Sequence, residues 1–181
     1  IMNEVIYPTV EGMASEGHPY TGFLYAGLMI DETGTPKVIE YNCRFGDPET
    51  QPMMLRLQSD LVELIEAANR VELDKTTIKF DPRAAVGVVL AAKGYPGDYP
   101  KGDAISGLQV DYPAGEKVFH AGTKQSGNDV VTAGGRVLCA TALGNTVTQA
   151  QQRAYELVKH ISWDGMEYRT DIAYRAIARE Q

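Results

Sequence analysis

In Val38-Ile39-Glu40-Tyr41-Asn42-Cys43-Arg44, polar and apolar residues alternate with the period of an extended strand. That period puts Glu40, Asn42 and Arg44 on one face, about 6.6 Å apart along the chain. It turns Ile39, Tyr41 and Cys43 the other way, into apolar packing. A carboxylate beside a carboxamide offers two hard oxygen donors. Magnesium suits such a pair, because it keeps few protein ligands and completes its octahedron with water and phosphate oxygens. Arg44 on the same face matches a phosphoryl group or a carboxylate, which a guanidinium grips through two parallel hydrogen bonds. The loop Phe45-Gly46-Asp47-Pro48-Glu49 follows, with backbone amides and the Asp47 carboxylate to hold a second substrate beside the metal. The same alternation belongs to any strand with one solvated face. Spacing alone leaves the metal site and the solvent-facing strand both open.

Positioning these residues requires a hairpin. Gly22–Ile30 is an almost continuous apolar run, as expected of a strand buried on both faces. Asp31–Pro36 is rich in turn formers, and Lys37–Arg44 is the answering strand. Upstream, Val5, Ile6, Val10 and Met13 recur at helical intervals, with Pro8 forcing a kink or a restart. Downstream, Gln51–Leu57 begins a helix. Ser59 reads as the N-cap of the next, whose stripe is Leu61, Leu64, Ile65 and Ala68 and whose end falls near Val71. Asp81-Pro82 marks a break, which predicts a domain boundary around Lys79.

Beyond that boundary the pattern changes to short strands at Ala84–Ala92, Lys117–His120, Val130–Thr132 and Arg136–Ala142, separated by glycine-rich turns. Asn145 or Thr146 caps a helix with Val147, Ala150, Ala154, Leu157 and Val158 on one face. Ile172, Ala173, Ile177 and Ala178 are spaced as on a further helix.

The chain carries a net charge of −7, with 13 acidic and 6 basic side chains in residues 1–79 and 11 of each in 80–181. No basic stripe is present, which argues against nucleic-acid binding. No apolar run approaches the roughly 20 residues of a membrane span. Cys43 and Cys139 have no metal-ligand spacing, and two unpaired thiols fit a reducing cytoplasm. His18, His120 and His160 are scattered and read as structural. Gly134-Gly135 reads as a hairpin turn rather than a phosphate cradle. Cys43, expected to face the core, is a poor nucleophile.

"VIEYNCRFGDPETQ" resembles the metal-binding strand and following loop of the phosphoribosylamine–glycine ligase family, also called glycinamide ribonucleotide synthetases, within the ATP-grasp superfamily. The resemblance extends upstream through "PTVEGMASEGHPYTGFLYAGLM" and downstream through "AVGVVLAAKGYPGDYPKG", "FHAGT" and "VVTAGGRVLCATALG", covering essentially the whole chain. It implies an α+β fold. Residues 1–79 would be the C-terminal portion of an ATP-grasp domain, an antiparallel sheet with helices, and 80–181 a small β-rich C-terminal domain. It also implies the family's reaction in purine biosynthesis, in which ATP phosphorylates glycine and the amine of 5-phosphoribosylamine displaces the phosphate.

Carried over by position, Glu40 and Asn42 would bind magnesium or manganese. Arg44, Gly46 and Asp47 would lie at the glycine and acyl-phosphate end, Arg44 and Asp47 as catalytic groups. The family's length implies a missing N-terminal part that binds adenine and ribose phosphate, so this chain alone is not expected to complete the reaction. A second metal carboxylate, common in ATP-grasp enzymes, is absent from Gly22–Ile30. The alternatives are another ATP-grasp carboxylate–amine ligase, or a non-catalytic folding or assembly module.

Overall fold

Pro8 cannot donate a backbone hydrogen bond, and its ring crowds the carbonyl four residues back. In the computed structural model, which describes residues 1–108 and 111–180, a π-helical turn at Met2–Ile6 meets that constraint. It gives way to helix α1 at Tyr7–Ser15, with Pro8 in the first turn. The fold is α+β, and every strand pairing within its sheets is antiparallel. The chain divides into two compact units, 1–47 with 58–79 and 48–57 with 80–181.

In the first unit, β1 (Tyr25–Ile30) and β2 (Pro36–Asn42) form a two-stranded ribbon. Its turn is tied by Asp31, whose Oδ1 accepts from the Thr33 amide, the Thr33 hydroxyl and the Thr35 amide at 3.0, 2.6 and 3.0 Å. These bonds, led by the Thr33 hydroxyl, hold the Asp31 carboxyl below the usual range. The expected burial of β1 on both faces is corrected. The ribbon is left uncovered towards its turn, where Met29 and Ile30 of β1 are 58% and 49% exposed.

The N-cap of α3 (Leu61–Asn69) is Asp60 rather than Ser59. Its carboxylate accepts from the amides of Val62 and Glu63 at 2.7 and 3.3 Å. Ser59 Oγ is occupied elsewhere, accepting from the Lys79 amide at 2.8 Å. Leu64 and Ala67 are the buried pair on this helix, and Ile65 stands off the stripe.

The second unit is built on the sheet β3-β7-β4, from Ala84–Ala91, Arg136–Gly144 and Glu116–His120. β7 is central, which explains why Val137–Leu143 reads as an unbroken buried run. Val86, Val88, Leu90, Leu138, Ala140 and Ala142 pack with α4 (Val147–Lys159) through Ala150, Ala154, Leu157 and Val158. Thr146 caps α4, its Oγ1 accepting from the Gln149 amide at 3.1 Å. Gly87 and Cys139 belong to the opposite register and meet α2 (Thr50–Arg56). A Cβ on Gly87 would lie 2.9 Å from Cys139 Sγ and 3.1 Å from Pro52 Cγ. That close approach seats α2 on this sheet.

A second ribbon, β5 (Thr123–Ser126) with β6 (Asp129–Thr132), completes the strands among the described residues. Gly134-Gly135 therefore does not close a hairpin, because β6 and β7 belong to different sheets. Gly135 lies beneath aromatic rings, where a Cβ would come within 2.2 Å of Tyr95 Cδ2. Tyr95 is itself fixed, its hydroxyl accepting from Arg136 Nε at 2.8 Å. The final helix, α5, is a single turn at Tyr174–Ile177. Residues beyond it return to α4, where the Glu180 carboxylate accepts from the amides of Val147 and Thr148.

The break at Asp81-Pro82 is a charged turn. The Asp81 carboxylate accepts from the Arg83 amide and from Arg83 Nε at 2.9 Å each, and from Nη2 at 2.7 Å. Arg83 lowers the Asp81 pKa from 3.8 to about 2. Because the folded value is depressed, this contribution to stability is complete above the unfolded pKa and is lost as pH falls towards about 2. Asp81→Asn should therefore flatten the decline of urea stability with acidification across that window. A decline as steep as in the unsubstituted chain would contradict the assignment.

Candidate functional site

The ladder of the first ribbon decides where the candidate residues sit. Tyr25 pairs with Asn42, Ala26 with Tyr41 and Gly27 with Glu40, after which the register shifts and Leu28 pairs with Val38. Ile39 is the extra residue of a β-bulge. Alternation therefore holds from Glu40 to Asn42 and fails at Ile39, whose exposure corrects its expected place in apolar packing. Beyond Asn42 the strand has no partner left, because β1 begins at Tyr25. Cys43 and Arg44 accordingly lie in a bend outside β2. The structure brings Glu40 and Asn42 together on one face, with Arg44 beyond the strand end.

Gly27 is the feature that alternation did not reveal. A Cβ there would lie 3.0 Å from Glu40 Cγ and 3.7 Å from Glu40 Oε1. The Glu40 side chain thus lies across its partner strand, over a position with no side chain. A glycine interrupting an otherwise apolar strand is the sequence signal for such a close approach. Glu40 is exposed and Asn42 half-buried. This donor set fits a hard divalent cation that draws its other ligands from water and phosphate. Among the described residues, no group of three or more His, Cys, Asp or Glu is arranged to hold a metal ion.

The rear of β2 is held by α1. Thr9 Oγ1 donates to Val5 O at 2.6 Å and pairs with the Tyr41 hydroxyl at 2.8 Å. Beside this pair, Val10, Met13, Tyr20, Leu24 and Cys43 help line a cavity of about 150 Å³. Cys43 is exposed rather than core-facing. Its hydrogen bond with Tyr20 is the first cause of a raised phenol pKa there.

The following loop is anchored by Phe45, whose ring centroid lies 4.1 Å from that of Phe23. Gly46 is buried, Asp47 is exposed, and Arg44 Nη1 donates to Phe45 O at 2.8 Å. His120 lies outside this group and pairs through Nδ1 with Thr123 Oγ1 at 3.0 Å. Cys139 is buried, its Sγ 3.4 Å from Thr141 Oγ1.

Solved structures set the class. The chain superposes on phosphoribosylamine–glycine ligase from Thermotoga maritima with a TM-score of 0.79 and 36% identity, over 94% of this chain and 41% of that one. At 17% identity it shares its fold with the biotin carboxylase domain of Hydrogenobacter thermophilus 2-oxoglutarate carboxylase (TM-score 0.61; 90% of this chain, 36% of that one). It is an α+β chain with an ATP-grasp-type fold.

The family model for "Phosphoribosylglycinamide synthetase, C domain" matches residues 85–175, and that for the "ATP-grasp (A) domain" of the same synthetase matches 1–50. Phosphoribosylamine–glycine ligase from Vibrio parahaemolyticus is 72% identical over the whole chain, and that from Escherichia coli 64% identical over 99% of it. The chain belongs to the phosphoribosylglycinamide synthetase family. It spans 42% of the length of these curated relatives. Among the described residues, no helix is long and apolar enough to cross a membrane.

The link between α1 and β2 can be measured alone. A double-mutant cycle of Thr9→Val and Tyr41→Phe should give a coupling of about 0.5–1 kcal/mol, the net worth of one hydrogen bond. Zero coupling would mean that α1 does not brace the strand.

Proposed function

We propose that this chain is part of an ATP-dependent ligase joining glycine to 5-phosphoribosylamine, with Glu40 and Asn42 as its metal-binding pair. Residues 1–79 would close the ATP-grasp domain, and 80–181 would form the C-terminal domain. The observation that carries the reading is 72% identity along the whole chain to a protein named for that activity. Beside it stands a strand face with two oxygen donors, Glu40 opposite Gly27 and Asn42 opposite Tyr25.

A magnesium or manganese ion held at this pair would supply positive charge to the phosphates of ATP. Glu40 contributes a full negative charge and Asn42 a neutral oxygen, leaving most of the cation's charge for the nucleotide. Arg44, on the bend just past the strand, would grip the glycine carboxylate and the phosphoryl group transferred to it. Gly46 and Asp47 would bind the glycine end, the buried Gly46 as backbone and Asp47 as a carboxylate for the ammonium group. The rest of the nucleotide pocket and the ribose phosphate site would come from the N-terminal part of the parent protein. A cytoplasmic setting suits two cysteines that form no disulfide.

The test is Glu40→Ala in the full-length ligase. Ligation should fall below detection while the thermal unfolding midpoint stays close to that of the parent, because Glu40 is exposed. Undiminished turnover would sink the metal assignment.

A further inference from the structure

The last segment of the second unit gathers positive charge around a hollow that the ligase reading does not use. Arg169, Asp171, Tyr174, Arg175 and Arg179 are among the residues lining a pocket of about 500 Å³. Three guanidinium groups face one carboxylate, on a chain whose net charge is −7. Asp171 is already engaged by Arg169, whose Nε and Nη2 donate to its two oxygens at 2.8 and 2.7 Å. The other carboxylate of the segment, Glu180, is committed to the amides of Val147 and Thr148. Arg175 and Arg179 are therefore left without a carboxylate partner among the described residues.

These two arginines stand four residues apart on α5 and the turn that follows it, where Ala178 N donates to Tyr174 O and Arg179 N to Ala176 O. Like charges at that spacing repel. Arg175 is held by a neutral group: its Nε donates to the Tyr174 hydroxyl at 2.9 Å, and its guanidinium lies 5.5 Å from that ring's centroid. The Tyr174 oxygen acts there as an acceptor, so its own proton remains to be donated. The segment is well anchored. Tyr155 Oη donates to Arg169 O at 2.7 Å and accepts from the Ile172 amide at 3.1 Å, and Gln151 Nε2 donates to Ile172 O at 2.8 Å.

We propose that this pocket binds a dianionic phosphate group, with Arg175 and Arg179 as its principal ligands and Tyr174 as a hydroxyl donor. The two uncompensated charges match those of a phosphate monoester, and planar guanidinium groups match its oxygens. A sugar phosphate and inorganic phosphate share this chemistry. The volume and the walls offered by Ile172, Ala173 and the Tyr174 ring leave room for a sugar. The site does not depend on the ligase reading, and its test involves no nucleotide, metal or turnover.

The 181-residue chain should be titrated calorimetrically with ribose 5-phosphate, inorganic phosphate and ribose. Saturable binding of a phosphate-bearing probe, weakened by added salt, is expected, with none for ribose. Arg175→Gln and Arg179→Gln should each weaken it about tenfold or more, the worth of a charge-assisted hydrogen bond. Arg70→Gln in the first unit should leave it unchanged. Tighter binding of ribose 5-phosphate than of inorganic phosphate would identify a sugar phosphate as the ligand, and equal binding would identify phosphate itself. No saturable binding of either probe overturns the proposal. So does affinity preserved in the Arg175→Gln, Arg179→Gln double variant.

Discussion

In the β1–β2 ribbon, Gly27 faces Glu40 and Tyr25 faces Asn42, and the geometry of the candidate site follows from that register. With no Cβ at Gly27, the Glu40 side chain can lie against the backbone of its partner strand. The bulge at Ile39 lets the ribbon continue towards its turn while Glu40 and Asn42 keep a common face. The ladder ends at Asn42, which releases Arg44 into the bend and leads directly into the Gly46-Asp47 loop. A one-residue slip would exchange the face of Glu40 for that of Tyr41 and break the bond to Thr9 at the same time.

The second unit is arranged around the opposite condition. Its central strand β7 is covered on both faces, by α4 on one and α2 on the other, so its sequence is apolar or small throughout. Arg153 joins the layers: its guanidinium bonds to the Glu116 carboxylate at 2.7–2.8 Å and to the carbonyls of Leu143 and Ala114 at 2.8 and 3.1 Å. One side chain on α4 thus holds the start of β4 and the end of β7. The final segment docks on α4 through Tyr155, Gln151 and Glu180, and this docking gives the arginine pocket a firm base.

Elements with a strong local signal were legible in the sequence. A cap at Asn145 or Thr146 and an apolar face announced α4, and the β-branched run at Ala84–Ala92 announced β3. The ATP-grasp character and the family were legible from the motif around Glu40, although the spacing of Glu40, Asn42 and Arg44 did not separate ligands from solvent-facing residues. Long-range hydrogen bonds were not legible. Ser59 and Asp60 are both good caps, and what decided between them was the amide of Lys79, 20 residues away. Glu180 reaches the N-terminus of α4 from more than 30 residues along the chain. The polar β5, Thr123–Ser126, has no apolar period to announce it and exists through its pairing with β6. Gly27 and Gly87 matter through what lies across from them, which no local pattern contains.

The central claim is that Glu40 and Asn42 hold the metal as a pair from one strand. Anomalous diffraction from a full-length protein containing this sequence, crystallised with manganese and a nucleotide, tests it most directly. The account predicts a manganese peak at about 2.1–2.3 Å from a Glu40 carboxylate oxygen and from Asn42 Oδ1, with phosphate and water completing the shell. A peak coordinated elsewhere, with both side chains turned to bulk solvent, would contradict it.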